Sequence, residues 1–318
     1  MGIINILGLI SNAIGYWGFA DDMFPAPEDG HSTFKVYVAI DGTGPDSLED
    51  AGGSIRNGKL FNSFGVDIGH GGSFPHMKSG SSETITIWQS VPQQAPWVML
   101  FASKDAVCIA AIGATLIDGT HWGWVGDWGQ LCGLPWYYSG VKGSPQWNDT
   151  SPHCTWIDAD HSNGLSAGGI TIHWPGFTDA VLPVDNGKGK CGTEFDAWDK
   201  EGGKSVIKSK FEDWEGQNAS GMLERHGHNT DRRLVVSTAD AHSAEELCRD
   251  PMSRGPNFVS MSEQAHCDMQ TREVLPLCRD GLTAGCFDLE AAAAEMRTST
   301  SDGGGDDTGD LAHHIIYW

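Results

Sequence analysis

The chain has 318 residues, 20 basic against 42 acidic, for a net charge of −22 with histidine neutral; 39% of residues are hydrophobic and 19% charged. That is too apolar and too sparsely charged for a disordered acidic chain, and long enough to bury one large core or two. The charge repels a phosphate backbone, and no basic cluster beyond Arg232–Arg233 offsets it, so nucleic-acid partners are not expected.

Residues 1–20 carry no charged side chain and are followed by Asp21 and Asp22. Ile3 to Trp17 has the length of a signal-peptide core, and Gly18-Phe19-Ala20 puts small residues three and one positions before a cut, although a basic n-region is missing. A cleaved signal is expected, with a retained apolar helix as the alternative and membrane contact only in that case. Gly2 does not signal myristoylation, because Ile6 stands where Ser or Thr is required.

From Phe34 onward, apolar runs of strand length are separated by turn residues. Phe34–Ile40 and Thr84–Trp88 alternate and predict half-buried strands; Trp97–Phe101 and Ala106–Ile112 are continuous and predict central ones. Trp122–Val125, Cys154–Ile157, Gly169–Trp174 and Arg233–Ser237 complete the series. The spacing predicts an all-β fold, an antiparallel sandwich or barrel-like core, rather than alternating β–α units. Helical signals are confined to the stretch around Ser243–Cys248, where Ser243 and Glu246 fit a capping box, and to Asp288–Arg297.

Composition changes near residue 183. The expected organisation is an apolar segment 1–20, a β core 21–183, a cysteine-rich, irregular C-terminal extension 184–297 packed on that core, a flexible low-complexity linker 298–310 and a terminal strand 311–318. Cys108, Cys132, Cys154, Cys191, Cys248, Cys267, Cys278 and Cys286 form an even set without a C-x-x-C pair, which favours disulfides and an oxidising compartment over a zinc site. Asn148 and Asn218 begin N-glycosylation triplets.

Three stretches invite a chemical reading. His121 to Tyr138 gathers Trp122, Trp124, Trp128 and Trp136 with Asp127. Flat rings beside a histidine and a carboxylate can stack on a sugar and bond its hydroxyls; the competing reading is that the indoles fill the space between sheets. Asp158, Asp160, Ser162 and Asn163 space oxygens as a calcium loop does. Gly164 falls one position late for an EF-hand and Gly169 occupies the place of the bidentate Glu, so a polar turn accounts for the run equally well. Arg225-His226-Gly227 matches a phosphohistidine motif without the strand or the basic surroundings that chemistry needs. No other cofactor is indicated.

Taken together, Asp105–Ile109, Trp122–Gly133, Cys154–Asp160, Gly255–Ser260 and Cys267–Arg272 running to Pro276-Leu277-Cys278 resemble a family of filamentous-fungal proteins of secreted or hypothetical description. The resemblance covers most of residues 60–290 and implies a secreted fungal chain; it implies no activity. The expected function is a secreted, non-enzymatic binding or effector protein that meets a protein or glycan through its tryptophan-rich segment. Two alternatives remain: an extracellular carbohydrate-directed hydrolase pairing Asp127 or Asp158 with His121 or His173, and an intracellular protein anchored to a membrane by residues 1–20.

Overall fold

A computed structural model describes residues 21–39, 51–141, 151–177, 188–207, 233–299 and 315–318. They fall into two compact units, the first ending by residue 218 and the second holding 233–299 and 315–318. The apolar segment 1–20, both glycosylation triplets, the Arg225-His226-Gly227 motif and residues 300–310 of the low-complexity stretch lie outside the described residues.

The described residues of the first unit hold twelve strands: β1 (His31–Val38), β2 (Gly53–Phe61), β3 (Asp67–Gly72), β4 (His76–Met77), β5 (Ser82–Gln89), β6 (Trp97–Ala102), β7 (Val107–Thr115), β8 (His121–Val125), β9 (Trp136–Tyr138), β10 (His153–Ile157), β11 (Gly169–His173) and β12 (Phe195–Trp198). They form one antiparallel sheet in the order β12-β11-β6-β2-β3-β5-β1-β7-β10-β9, with β4 on β2 and β8 on β7. Period-two alternation explains the half-buried members: in β1, Phe34, Val36 and Val38 point inward while Lys35 and Tyr37 point outward. The continuous apolar run of β7 is buried along its whole length. One edge of β7 carries β1, and the other is shared between β8 and β10, which is why this strand shows no alternation.

The sheet path folds back on itself. Trp124 of β8 meets Phe195 of β12 at 5.4 Å between ring centroids, and Phe34 of β1 stacks on Trp174 at 6.0 Å. Between the two layers lie Ile55, Leu60, Ile85, Ile87, Val98, Leu100, Ile112, Ile170 and Ile172, all buried. The disulfide Cys108–Cys154 ties β7 to β10, and Cys132–Cys191 ties the end of the short helix α1 (Asp127–Leu131) to the segment before β12. Gly129 lies in α1 because nothing larger fits: a Cβ there would stand 1.8 Å from Thr155 Oγ1 of β10.

The described residues of the second unit form a five-stranded sheet, β13 (Leu234–Ser237), β14 (Asn257–Ser260), β15 (Ala265–Asp268), β16 (Glu273–Pro276) and β17 (Ile315–Tyr317), in the order β16-β15-β14-β13-β17. β13 runs parallel to both β14 and β17, and helix α2 (Ala244–Arg249) forms the crossover between β13 and β14. Ser243 caps α2 by accepting from Glu246 N at 2.9 Å, as the capping-box spacing requires. Cys248–Cys267 fastens α2 to β15, and Cys278–Cys286 closes a loop of the same unit. Leu234, Val236, Val259 and Leu277 form a core on one face, with Leu289 of helix α3 (Leu289–Ser299) against it.

The architecture is all-β with four disulfides and no free cysteine. Two features differ from the expected organisation. The compositional break at 183 is not a structural one, because Phe195–Trp198 pairs with β11 and Cys191 bonds to Cys132, so residues 188–207 belong to the first unit. The cysteine-rich region is no irregular lobe either: short strands with few apolar residues form a regular ladder, and its disulfides close within that unit.

Candidate ligand-binding face

The tryptophan-rich segment is interior. Trp122, Trp124, Trp128 and Trp136 are all buried, as are Tyr137 and Tyr138, so the expected contact surface is corrected to core packing. The physical reason is the double pairing of β7. With β8 against its second edge, the indoles of Trp122 and Trp124 are turned into the space between layers, where large rings fill most volume. Trp128 meets Phe177 edge-on at 4.9 Å, and the Lys190 ammonium lies 5.4 Å from the Trp128 ring centre. Burial pulls the Lys190 pKa below the ordinary lysine value, against the pull of Glu194.

The histidines and carboxylates pair differently from expectation. Asp127 is buried and accepts from His153 Nδ1 at 2.7 Å, whereas His121 Nδ1 lies 3.0 Å from Thr115 Oγ1. The His153 ring is packed edge-on against Trp136 at 4.5 Å. The His173 ring bonds through Nδ1 to Glu194 and stacks on Trp97, with centroids 4.0 Å apart. Sequence spacing gave no sign of either pairing, since 26 and 21 residues separate the partners.

The calcium-like run forms a turn. Ser162 Oγ donates to Asp158 Oδ2 at 2.7 Å, Ser162 N to Asp160 Oδ1 at 3.1 Å and Asp160 N to Asp158 Oδ1 at 3.3 Å, while of Asn163 only the backbone is described. These oxygens bind the chain's own donors, as in an Asx turn. Burial pushes the Asp158 carboxyl above its ordinary pKa, which disfavours the charged form a cation needs. Among the described residues no group of three or more His, Cys, Asp or Glu is placed to hold a metal ion.

What faces solvent is the outer side of the long sheet. Residues directly opposite one another in antiparallel strands share a face. Register therefore aligns Met99 (β6), Lys59 (β2), His70 (β3), Trp88 (β5) and His31 (β1) in one row across five strands. A second row, two residues along, holds Phe61 (β2), Trp97 (β6) and His173 (β11). None of these eight residues is buried, and Trp88 is 52% exposed. Between a histidine on each neighbouring strand, its indole is held on a rigid ladder rather than on a loop.

Polar groups border these rings. His31 Nδ1 lies 2.8 Å from Asp29 O and 3.7 Å from Glu28 Oε1, and Thr86 Oγ1 donates to Glu28 Oε2 at 3.4 Å. Lys59 Nζ lies 2.6 Å from Glu201 Oε1; bonds from Lys59 and Asn57 hold the Glu201 carboxyl below its ordinary pKa. At the end of the second row, the turn after β2 exposes Phe64 and Val66, with Asn62 Oδ1 accepting from both of their backbone N–H groups at 2.9 and 3.0 Å. The arrangement offers apolar ring surface, donors and acceptors side by side, the mixture that recognises a polyhydroxylated ring.

No family model and no curated protein matches the chain. Among solved structures, a LOX variant aligns at 10% identity over 30% of this chain and 14% of its own, with a TM-score of 0.25. A second LOX variant aligns at 9% identity over 41% and 17%, with a TM-score of 0.24. The chain thus spans less than a fifth of either, and a likeness of that order carries no argument about fold or function.

Proposed function

We propose that this chain is a secreted, non-enzymatic glycan-binding protein, of the filamentous-fungal group its motif blocks resemble, whose contact surface is the outer ladder face around Trp88. The observation that carries the reading is the exposed Trp88 indole, set between His31 and His70 and aligned with a second aromatic row. Rings presented on a sheet lose little freedom on binding, and histidine and carboxylate neighbours supply hydrogen bonds to hydroxyls. Four disulfides support maturation in an oxidising compartment, and no helix among the described residues is long and apolar enough to cross a membrane. Screening on a glycan array tests the reading: the protein binds, Trp88→Thr lowers the signal about tenfold, and the interior substitution Trp122→Phe leaves it. Equal signals from the Trp88 variant and the parent would refute it.

A second reading, a carbohydrate-directed hydrolase, draws on the His173–Glu194 pair beside Trp97, where a carboxylate orients an imidazole as an acid–base pair requires. Turnover of a neutral polysaccharide that disappears on Glu194→Gln would establish it over the binding reading; absence of reducing-end release by the parent protein would dismiss it.

A further inference from the structure

We infer that the ligand of this face is an extended, uncharged β-linked polysaccharide chain lying across the strands from Trp88 to Trp97. The inference rests on the glycan-binding reading and specifies its ligand. Three inter-strand steps separate the two indoles, from β5 through β3 and β2 to β6, and the second row is offset by two residues. At about 4.8 Å per step and 3.3 Å per residue, that is a span of about 16 Å, the length of an extended trisaccharide. A single ring cannot touch both indoles; an extended chain of three or four can, with His70, Lys59 and Phe61 beneath its middle.

Charge selects the class of sugar. The chain carries −22, and the one lysine of the row is already paired with Glu201. A uronate or sulfated polymer would therefore meet the repulsion of the whole chain, and the cations beside the row, Lys59 and Arg56, are both drawn to Glu201. Linkage follows from shape: these rows form an open sheet surface on which an extended β-linked ribbon can lie, whereas an α-1,4-linked chain coils away from it.

The test is calorimetric titration of the intact protein with β-1,4-linked glucose and N-acetylglucosamine oligomers of two to six units, with a maltohexaose and a polygalacturonate control. Affinity for at least one β-linked series is expected to rise roughly tenfold or more from dimer to tetramer and then level off, a gain of about 1.4 kcal/mol for each factor of ten. Trp88→Thr and Trp97→Thr should each return the tetramer to the dimer's affinity. Trp88 is exposed, so its variant keeps the test valid if the Trp97 variant fails to fold. Binding that depends on Trp88 but not on length overturns the extended chain while leaving the glycan-binding face standing. Preference for polygalacturonate or maltohexaose overturns the ligand class, and no saccharide binding at all overturns both proposals.

Discussion

His266 couples acid to the stability of the second unit. Its ring lies in β15, stacked on Phe287 with centroids 3.8 Å apart and planes 7° from parallel, and both ring nitrogens are buried without a hydrogen-bond partner among the described residues. Burial lowers its pKa from 6.5 to about 4, against an opposing pull from Asp268. Well above pH 6.5 the imidazole is neutral whether the chain is folded or not, and it contributes no pH dependence. Between 6.5 and 4 the unfolded chain holds a proton that the folded chain rejects, so stability falls as pH falls, and below about 4 the loss is complete. The fall from 6.5 to about 4 corresponds to about 3 kcal/mol. His266→Leu removes the titration and leaves no buried donor unpaired. The assay is the urea midpoint of the second unit, followed by hydrogen exchange in β13–β15, from pH 7 to pH 4. The parent should lose about 3 kcal/mol more than the variant over that range. Parallel pH profiles for the two, or a native His266 titrating near 6.5 by NMR, would refute the reasoning.

Three further outcomes follow from the packing. Replacing Cys108 and Cys154 by alanine releases a cross-link spanning 46 residues, and the chain-entropy model puts the loss at about 4 kcal/mol, read as a lower denaturant midpoint. Gly129→Ala drives a methyl into Thr155 and should cost on the order of 1–3 kcal/mol, measured as a fall in melting temperature; an unchanged value would mean that α1 can lift from β10. Ser243→Ala removes the cap of α2 and should cost about 1 kcal/mol, with faster amide exchange at Glu246, whose N–H loses the Ser243 Oγ acceptor.

How far the sequence could be read depends on which signal each element carries. All eight strands expected from apolar alternation or continuity are present, within a few residues of their expected bounds, because burial on one or both faces imposes those patterns directly. β2 and β3 were illegible: Gly53, Asn57, Gly58, Gly69, Gly71 and Gly72 look like turn residues. Gly69 is there for close approach, since a Cβ at that position would stand 2.5 Å from Trp88 O. Missing these strands hid the row, because they set Lys59 and His70 beside Trp88. Yet the outward direction of Trp88 was written in its own strand. In Thr84-Ile85-Thr86-Ile87-Trp88 the isoleucines point inward, so the tryptophan must share the threonines' solvent face. The density of indoles between His121 and Tyr138 marks the interior rather than the solvent face. The Asp127–His153 and His173–Glu194 pairs depend on strands brought together by the fold, which local spacing does not encode.

Glycan binding at the outer ladder face depends on which indoles meet solvent and ligand. Brief oxidation of the native protein with N-bromosuccinimide, followed by peptide mass mapping, should modify Trp88 first among the described tryptophans. Trp122, Trp124, Trp128, Trp136 and Trp174 should stay protected until unfolding, and a saturating β-linked tetrasaccharide should shield Trp88. Rapid modification of Trp122 or Trp124 in the native state, or a Trp88 that reacts equally fast with and without every saccharide tried, would contradict it.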